Sequence, residues 1–248
     1  MALMRTANPA LNANTFEVAS ADSSSEAMSL QGTVNKASFL LLLLVAASCW
    51  TWIQAGLNPA AVGQWIWISL LVGFIVGLVT VFKKEWAPVT APVYAIAEGL
   101  VLGGISAFFE KQYPGIVIQA VALTFGTLAA LLFAYTSRLI SVTENFKLGV
   151  VAATGGICIL YLIDLVMMFF GHRIPMIHES GLLGIGFSIF VVIIAALNLV
   201  LDFDFIEKGS QTNQPKYMEW YAGFGLIVTL VWLYLEILRL LSKIRRRD

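Results

Sequence analysis

Long apolar stretches alternate with short polar breaks along the chain. From Ala37 to Phe82 there is no charged residue, and Asn58-Pro59 is the only clear interruption. A helix needs about 20 residues to cross the hydrocarbon core, so this run predicts two spans, near 37–57 and 62–82. Lys83, Lys84 and Glu85 close the second. A third span is predicted from about 88 to 109, with Glu98 inside it and Glu110-Lys111 at its end. Tyr113-Pro114-Gly115 then turns the chain. The fourth runs from about 115 to 137 and stops at Arg138. The fifth covers about 148–171 and contains Asp164, and the sixth runs uncharged from about 181 to 201. The seventh begins between about 217 and 224 and ends near 241, with Glu236 inside it. The shorter alternation of a membrane β-barrel is absent.

These runs predict an all-α integral membrane protein, a bundle of seven transmembrane helices over 37–242. Residues 1–36, polar and carrying Ser23-Ser24-Ser25, are expected to form a disordered arm, and 243–248 a basic tail. The arm holds Glu17, Asp22 and Glu26 before the first apolar run, which argues against a signal peptide.

Composition strengthens the membrane reading. Of 248 residues, 59% are hydrophobic and 12% charged, about half the ~25% charged residues of a soluble domain. That excludes a soluble enzyme, a disordered chain and a disulfide scaffold. Net charge is zero, and no basic patch suggests nucleic acid. Cys49 and Cys158 lie in apolar runs and are expected to be packing groups. Gly73 and Gly77, Gly99 and Gly103, and Gly184 and Ser188 repeat the small-residue spacing that lets helices approach closely.

Charge also suggests orientation. If the spans alternate, one side receives Arg5, Lys36, Lys83, Lys84, Arg138, Lys147, Lys208 and Lys216, and the other only Lys111 and Arg173 from its loops. The positive-inside bias puts the first set, and with it the N-terminus, in the cytosol. The basic tail, with Lys243, Arg245, Arg246 and Arg247, runs against that bias.

The acids within apolar runs are the candidate functional residues: Glu98, Asp164, Asp202, Asp204 and Glu236. No Lys or Arg is expected deep in any span to neutralise them, since Arg239 sits only near the end of the seventh. Acids retained in a membrane mark ion or proton pathways. Desolvation disfavours the charged form of a carboxyl, and ionised carboxylates are hard oxygen ligands suited to Ca²⁺. Structural roles compete with this. Asp202 and Asp204 could face headgroups at a helix end, Glu98 could make an internal hydrogen bond, Asp164 could be interfacial, and Glu236 could reach Arg239. His172 and His178 flank a loop and lack a third ligand for a metal. There is no GxSxG, HExxH or phosphate-binding glycine loop, so no catalytic role is expected. Trp65, Trp67, Trp86, Trp220 and Tyr221 fit interfacial belts.

Toward the C-terminus the motifs resemble a known family. Leu201-Asp202-Phe203-Asp204-Phe205-Ile206-Glu207-Lys208 resembles the end of the sixth helix in the Bax-inhibitor-1 (TMBIM) family. Leu233-Tyr234-Leu235-Glu236-Ile237-Leu238-Arg239-Leu240-Leu241 resembles its last-helix motif, and Gly99 to Gly103 also fits. Arg5-Thr-Ala-Asn-Pro9-Ala-Leu11 is similar to the opening of a bacterial branch related to YccA proteins. The resemblance covers roughly residues 30–242. It implies a central C-terminal helix wrapped by the other six, and a pH-sensitive calcium leak whose proton sensor is a carboxylate pair on helices six and seven. By position the pair is Asp202 and Glu236, which would also be the Ca²⁺ ligands. Here the last-helix acid is Glu rather than Asp, and Asp204 follows two residues on.

The function expected is therefore a pH-sensitive calcium or cation leak channel in a bacterial inner membrane. Its partners are the lipid bilayer and Ca²⁺, protons are its regulator, and no cofactor is permanently bound. The alternative is a non-channel regulator of a membrane protease or of a stress response. An intramembrane enzyme ranks last. Pairing of Asp202 with Glu236 requires residues 209–222 to stand outside the membrane and the last helix to break or bend at Gly223–Gly225. Otherwise an unbroken helix from Tyr217 places Glu236 beside Arg239 and leaves Asp202 as the sensor alone.

Overall fold

The computed structural model describes residues 27–172 and 174–247. The elements are α1 (Leu30–Leu57), α2 (Pro59–Phe82), a single 3-10 turn (Lys84–Trp86), α3 (Ala87–Gln112), α4 (Ile116–Thr136), α5 (Glu144–Phe169), α6 (Pro175–His178), α7 (Leu182–Gln211) and α8 (Met218–Arg247). All but α6 and the 3-10 turn are long and apolar enough to cross a membrane, and they fall on the seven predicted runs. Among the described residues there is no strand, only an isolated bridge between Ala27 and Pro215.

Local chemistry sets several boundaries. Ser29 caps α1, its Oγ accepting from Gly32 N at 3.0 Å, and Thr143 caps α5 by accepting from Phe146 N at 3.2 Å. Pro59 opens α2 at a position where a missing N–H does no harm. Gly115 takes φ 81° in the turn before α4, a left-handed conformation natural to glycine.

Three boundaries differ from expectation. Helix α1 begins at Leu30, so residues 30–36 are helical rather than part of the arm, while 1–26 lie outside the described residues. Helix α7 continues past 201 to Gln211, because Phe203, Phe205 and Ile206 extend its buried face. Helix α8 runs unbroken from Met218 to Arg247, so the expected break at Gly223–Gly225 does not occur. A Cβ on Gly223 would lie 3.2 Å from Ala37 N. This glycine serves close helix packing.

The chain divides into two compact units. In the unit formed by 27–112 and 204–228, α3 packs against α1 and α2. A Cβ on Gly99 would overlap the Leu44 carbonyl, and one on Gly103 the Ser48 carbonyl. The glycine pair thus lets two backbones touch, and Ser48 Oγ donates to Gly99 O at 2.9 Å across the contact. Trp220 meets Phe39 edge to face at 6.0 Å between centroids, and Lys36 Nζ lies 5.1 Å from the Trp220 ring.

In the unit formed by 113–203 and 229–247, Ile157, Val191 and Ile194 make a core onto which Tyr161, Phe187, Leu197 and Trp232 pack. Lys243 is buried, its Nζ donating to Gly184 O at 2.9 Å and Ser188 Oγ at 2.8 Å. The expected basic tail therefore begins as anchored helix. A Cβ on Gly184 would overlap the Glu179 carbonyl in the loop before α7.

Helix α8 is the most enclosed span, with 61% of its apolar window buried against 11–50% for the other six. The outward faces are apolar, for example Trp67, Phe169 and Leu183, as lipid requires. Cys49 and Cys158 are both exposed on such runs, and neither is the packing group expected.

Candidate functional site

The five acids occupy five different settings. Glu98 on α3 is half-buried and accepts from the hydroxyl of buried Tyr94 at 3.1 Å. Tyr94 in turn meets Phe224 edge to face, 4.8 Å between centroids. Asp164, near the end of α5, accepts from Ile174 N at 2.9 Å through Oδ1 and lies 2.8 Å from His178 Nε2 through Oδ2. It fastens the loop that follows its own helix. Asp204 pairs with Lys208 at 2.6 Å, one turn on along α7.

Glu236 is 2% exposed on α8 and is bound by two groups. Tyr161 donates to its Oε1 at 2.9 Å, and Arg239 Nη1 lies 2.9 Å from Oε1 and 3.1 Å from Oε2. The expectation that no base neutralises these acids is overturned for Glu236 and Asp204. In both cases the base is one turn away on the same helix.

Asp202 is wholly buried on α7, several turns inside the helix rather than at its end. It does not pair with Glu236. Trp232 packs on the cluster of Ile157, Val191 and Ile194, and Lys243 bonds Gly184 and Ser188, so α7 and α8 run antiparallel here with Glu236 about level with that stretch of α7. Asp202 lies beyond Ile194 by about 12 Å along the axis, at ~1.5 Å per residue. The expected Asp202–Glu236 ligand pair for Ca²⁺ is therefore not assembled. Among the described residues, no three of His, Cys, Asp and Glu gather closely enough to hold a metal.

Glu219 and Asn198 are among the buried polar residues that escaped the sequence reading. Glu219 in the first turn of α8 is fully buried; its Oε1 accepts from Ser29 N at 3.0 Å and Ser29 Oγ at 2.9 Å and pairs with Lys216 at 3.2 Å. A Cβ at position 32 would overlap that carboxylate, so Gly32 makes room for it. Its signal was an acid at a helix start, where a carboxylate suits the dipole, although the helix it caps is α1. Asn198 on α7 is also buried, at 2% exposure. As one amide in an apolar run it carried no charge to draw notice.

The same unit thus holds two buried acids, Glu236 with its tyrosine and arginine, and Asp202 farther along α7. No curated protein and no solved structure matches the chain. The family model described as Bax inhibitor 1 like matches residues 8–246. That span takes in all seven membrane helices, and the chain belongs to the Bax inhibitor 1 like family of integral membrane proteins.

Proposed function

We propose that the protein is a pH-sensitive cation leak, mainly for Ca²⁺, with Asp202 as its titrating group. The observation that carries this is the complete burial of Asp202 within an apolar helix of 30 residues. A carboxyl in such a setting is expensive to insert and is kept for ion or proton traffic. Ionised, it attracts a cation; protonated, it does not. Glu236 is held by Arg239 and Tyr161 and acts as a fixed strut rather than as half of a proton-sharing pair. No catalytic step and no resident cofactor belong to this reading. We place the protein in a bacterial inner membrane with its N-terminus in the cytosol, on the loop charges.

The test is Ca²⁺ flux into liposomes that hold the purified protein. The rate is expected to differ between about pH 6 and pH 8, and Asp202→Asn is expected to remove the difference. No flux above empty liposomes at either pH overturns the leak and leaves the chain a non-conducting regulator, for instance of a membrane protease.

A further inference from the structure

The residues just ahead of α1 form a strap on the α7–α8 loop and the start of α8, and each is fastened. Ala27 makes an antiparallel bridge with Pro215, and buried Met28 donates its N–H to the Gln214 carbonyl at 2.6 Å. Ser29 gives both its N–H and its hydroxyl to Glu219 Oε1. Strap, loop and first turn of α8 belong to the same compact unit.

Both residues that the strap bonds carry a buried side-chain oxygen with no donor among the described residues, Gln214 Oε1 and Glu219 Oε2. Buried polar atoms are nearly always satisfied, and a dry carboxylate oxygen is costly. Opening the seat to water satisfies the two oxygens. Lifting the strap also removes two of the three donors to Glu219 Oε1 and leaves only Lys216. A buried anion so stripped does not stay buried, and its turn of helix moves toward water with it. The seated strap thus sets direct hydrogen bonds against an unanswered desolvation cost, the balance that a two-state element needs.

The movement has somewhere to go. The N–H groups of Met218, Glu219, Trp220 and Tyr221 bond to the carbonyls of Pro215, Lys216 and Tyr217, so loop and first turn shift as one piece. One turn farther along α8, Phe224 meets Tyr94 edge to face at 4.8 Å, and Tyr94 donates to Glu98 at 3.1 Å. A shift at the start of α8 therefore disturbs the partner of an acid inside a span.

We propose that residues 27–29 are an autoinhibitory latch. Seated on Gln214 and Glu219, they hold the start of α8 in place and the leak shut; lifted, they free the first turn of α8 and raise conduction. This deepens the leak reading, on which it rests for what is regulated. The strap leads directly into residues 1–26, and tension on that polar segment lifts it.

Facing residues of an antiparallel bridge lie about 4.5–5.5 Å apart between Cα atoms, within reach of a disulfide. The full chain with Ala27→Cys and Pro215→Cys, and with Cys49→Ala and Cys158→Ala to leave no other thiol, is placed in liposomes. Oxidation is expected to lower Ca²⁺ flux severalfold and reductant to restore it, so one protein is its own control. Ser29→Ala is expected to raise the open population, and with it the flux, about fivefold, the factor that follows from a lost helix cap. In hydrogen exchange the amides of 218–221 are expected to open together with those of 28 and 29, faster in Ser29→Ala and slower in the oxidised pair. Exchange that rises only at 29–33, or a complete disulfide with no effect on a measurable flux, makes the contact a helix cap alone and overturns the latch. Absence of flux in the wild type, in Ser29→Ala and in the reduced pair sinks the leak reading instead. Joint opening of the strap and 218–221 then keeps the latch, and separate opening overturns it.

Discussion

Arg239 grips Glu236 across a single turn of α8, with one guanidinium nitrogen within 3.1 Å of both carboxylate oxygens. The same nitrogen donates to the Tyr161 hydroxyl at 2.7 Å, and the guanidinium carbon lies 5.2 Å from the Tyr161 ring centroid. Tyr161 is thus both a hydrogen-bond bridge and an aromatic shelf for the cation. A carboxylate and its counter-ion are delivered by one helix, and α5 supplies the lock.

Loss of the cation is expected to hurt more than loss of the anion. Arg239→Gln leaves the buried Glu236 carboxylate without its base, at a cost of about 1–3 kcal/mol. Glu236→Gln is expected to be milder, since the Arg239 side chain is 38% exposed and can swing toward headgroups. Thermal unfolding of the variants in detergent checks the ordering, and a more damaging Glu236→Gln contradicts it.

The α1–α3 contact is expected to tolerate no side chain at its closest points. Gly103→Ala places a methyl group into the Ser48 carbonyl, which is backbone and cannot rotate away. A loss of about 1–3 kcal/mol is expected. Gly126→Ala, in open space on α4, is the control and is expected to be nearly neutral. Equal losses at the two positions would refute the packing argument.

The Ser29–Glu219 contact predicts a graded series. Ser29→Ala removes the cap of α1 and should lower stability by about 1 kcal/mol. Glu219→Gln keeps an oxygen acceptor for Ser29 N and should cost less than Glu219→Ala. Gly32→Ala collides with the carboxylate and should destabilise although alanine favours helices. Chemical denaturation in mixed micelles reads the order, and a stabilised Gly32→Ala is the outcome that breaks it.

His178→Ala is expected to loosen the loop between α5 and α7. His178 loses its 2.8 Å contact with Asp164, while the Ile174 N–H contact to Asp164 persists. Hydrogen exchange should therefore rise around 176–181 more than at 174. Unchanged exchange at 176–181 would show that His178 does not fasten the loop.

Hydropathy made the number and order of the spans legible, because a bilayer demands about 20 apolar residues per helix whatever the packing. The ends were less legible. Helix α7 passes through Asp204 because Lys208 answers the charge one turn on, and a pattern that treats any acid as a stop cannot see that. The glycines at 99 and 103 carried their meaning in their spacing. Gly223 and Gly225 did not, since a glycine that lets helices touch and one that breaks a helix look alike until the neighbour is known. The acids were visible as a set, but their partners were not. Tyr161 lies far from Glu236 in sequence, and Asn198 declares itself only when its oxygen is found buried without a donor.

The cap on the first helix is completed by a residue 190 positions later. Chains are made at about 5–20 residues per second, so roughly 10–40 s pass between synthesis of Ser29 and of Glu219. Throughout that interval the Ser29 amide lacks its Glu219 partner. The first helix thus acquires this partner only as the last span is made. A ribosome-stalled chain ending before Glu219 is expected to leave Ser29 open to protease, and one long enough to expose Glu219 is expected to protect it.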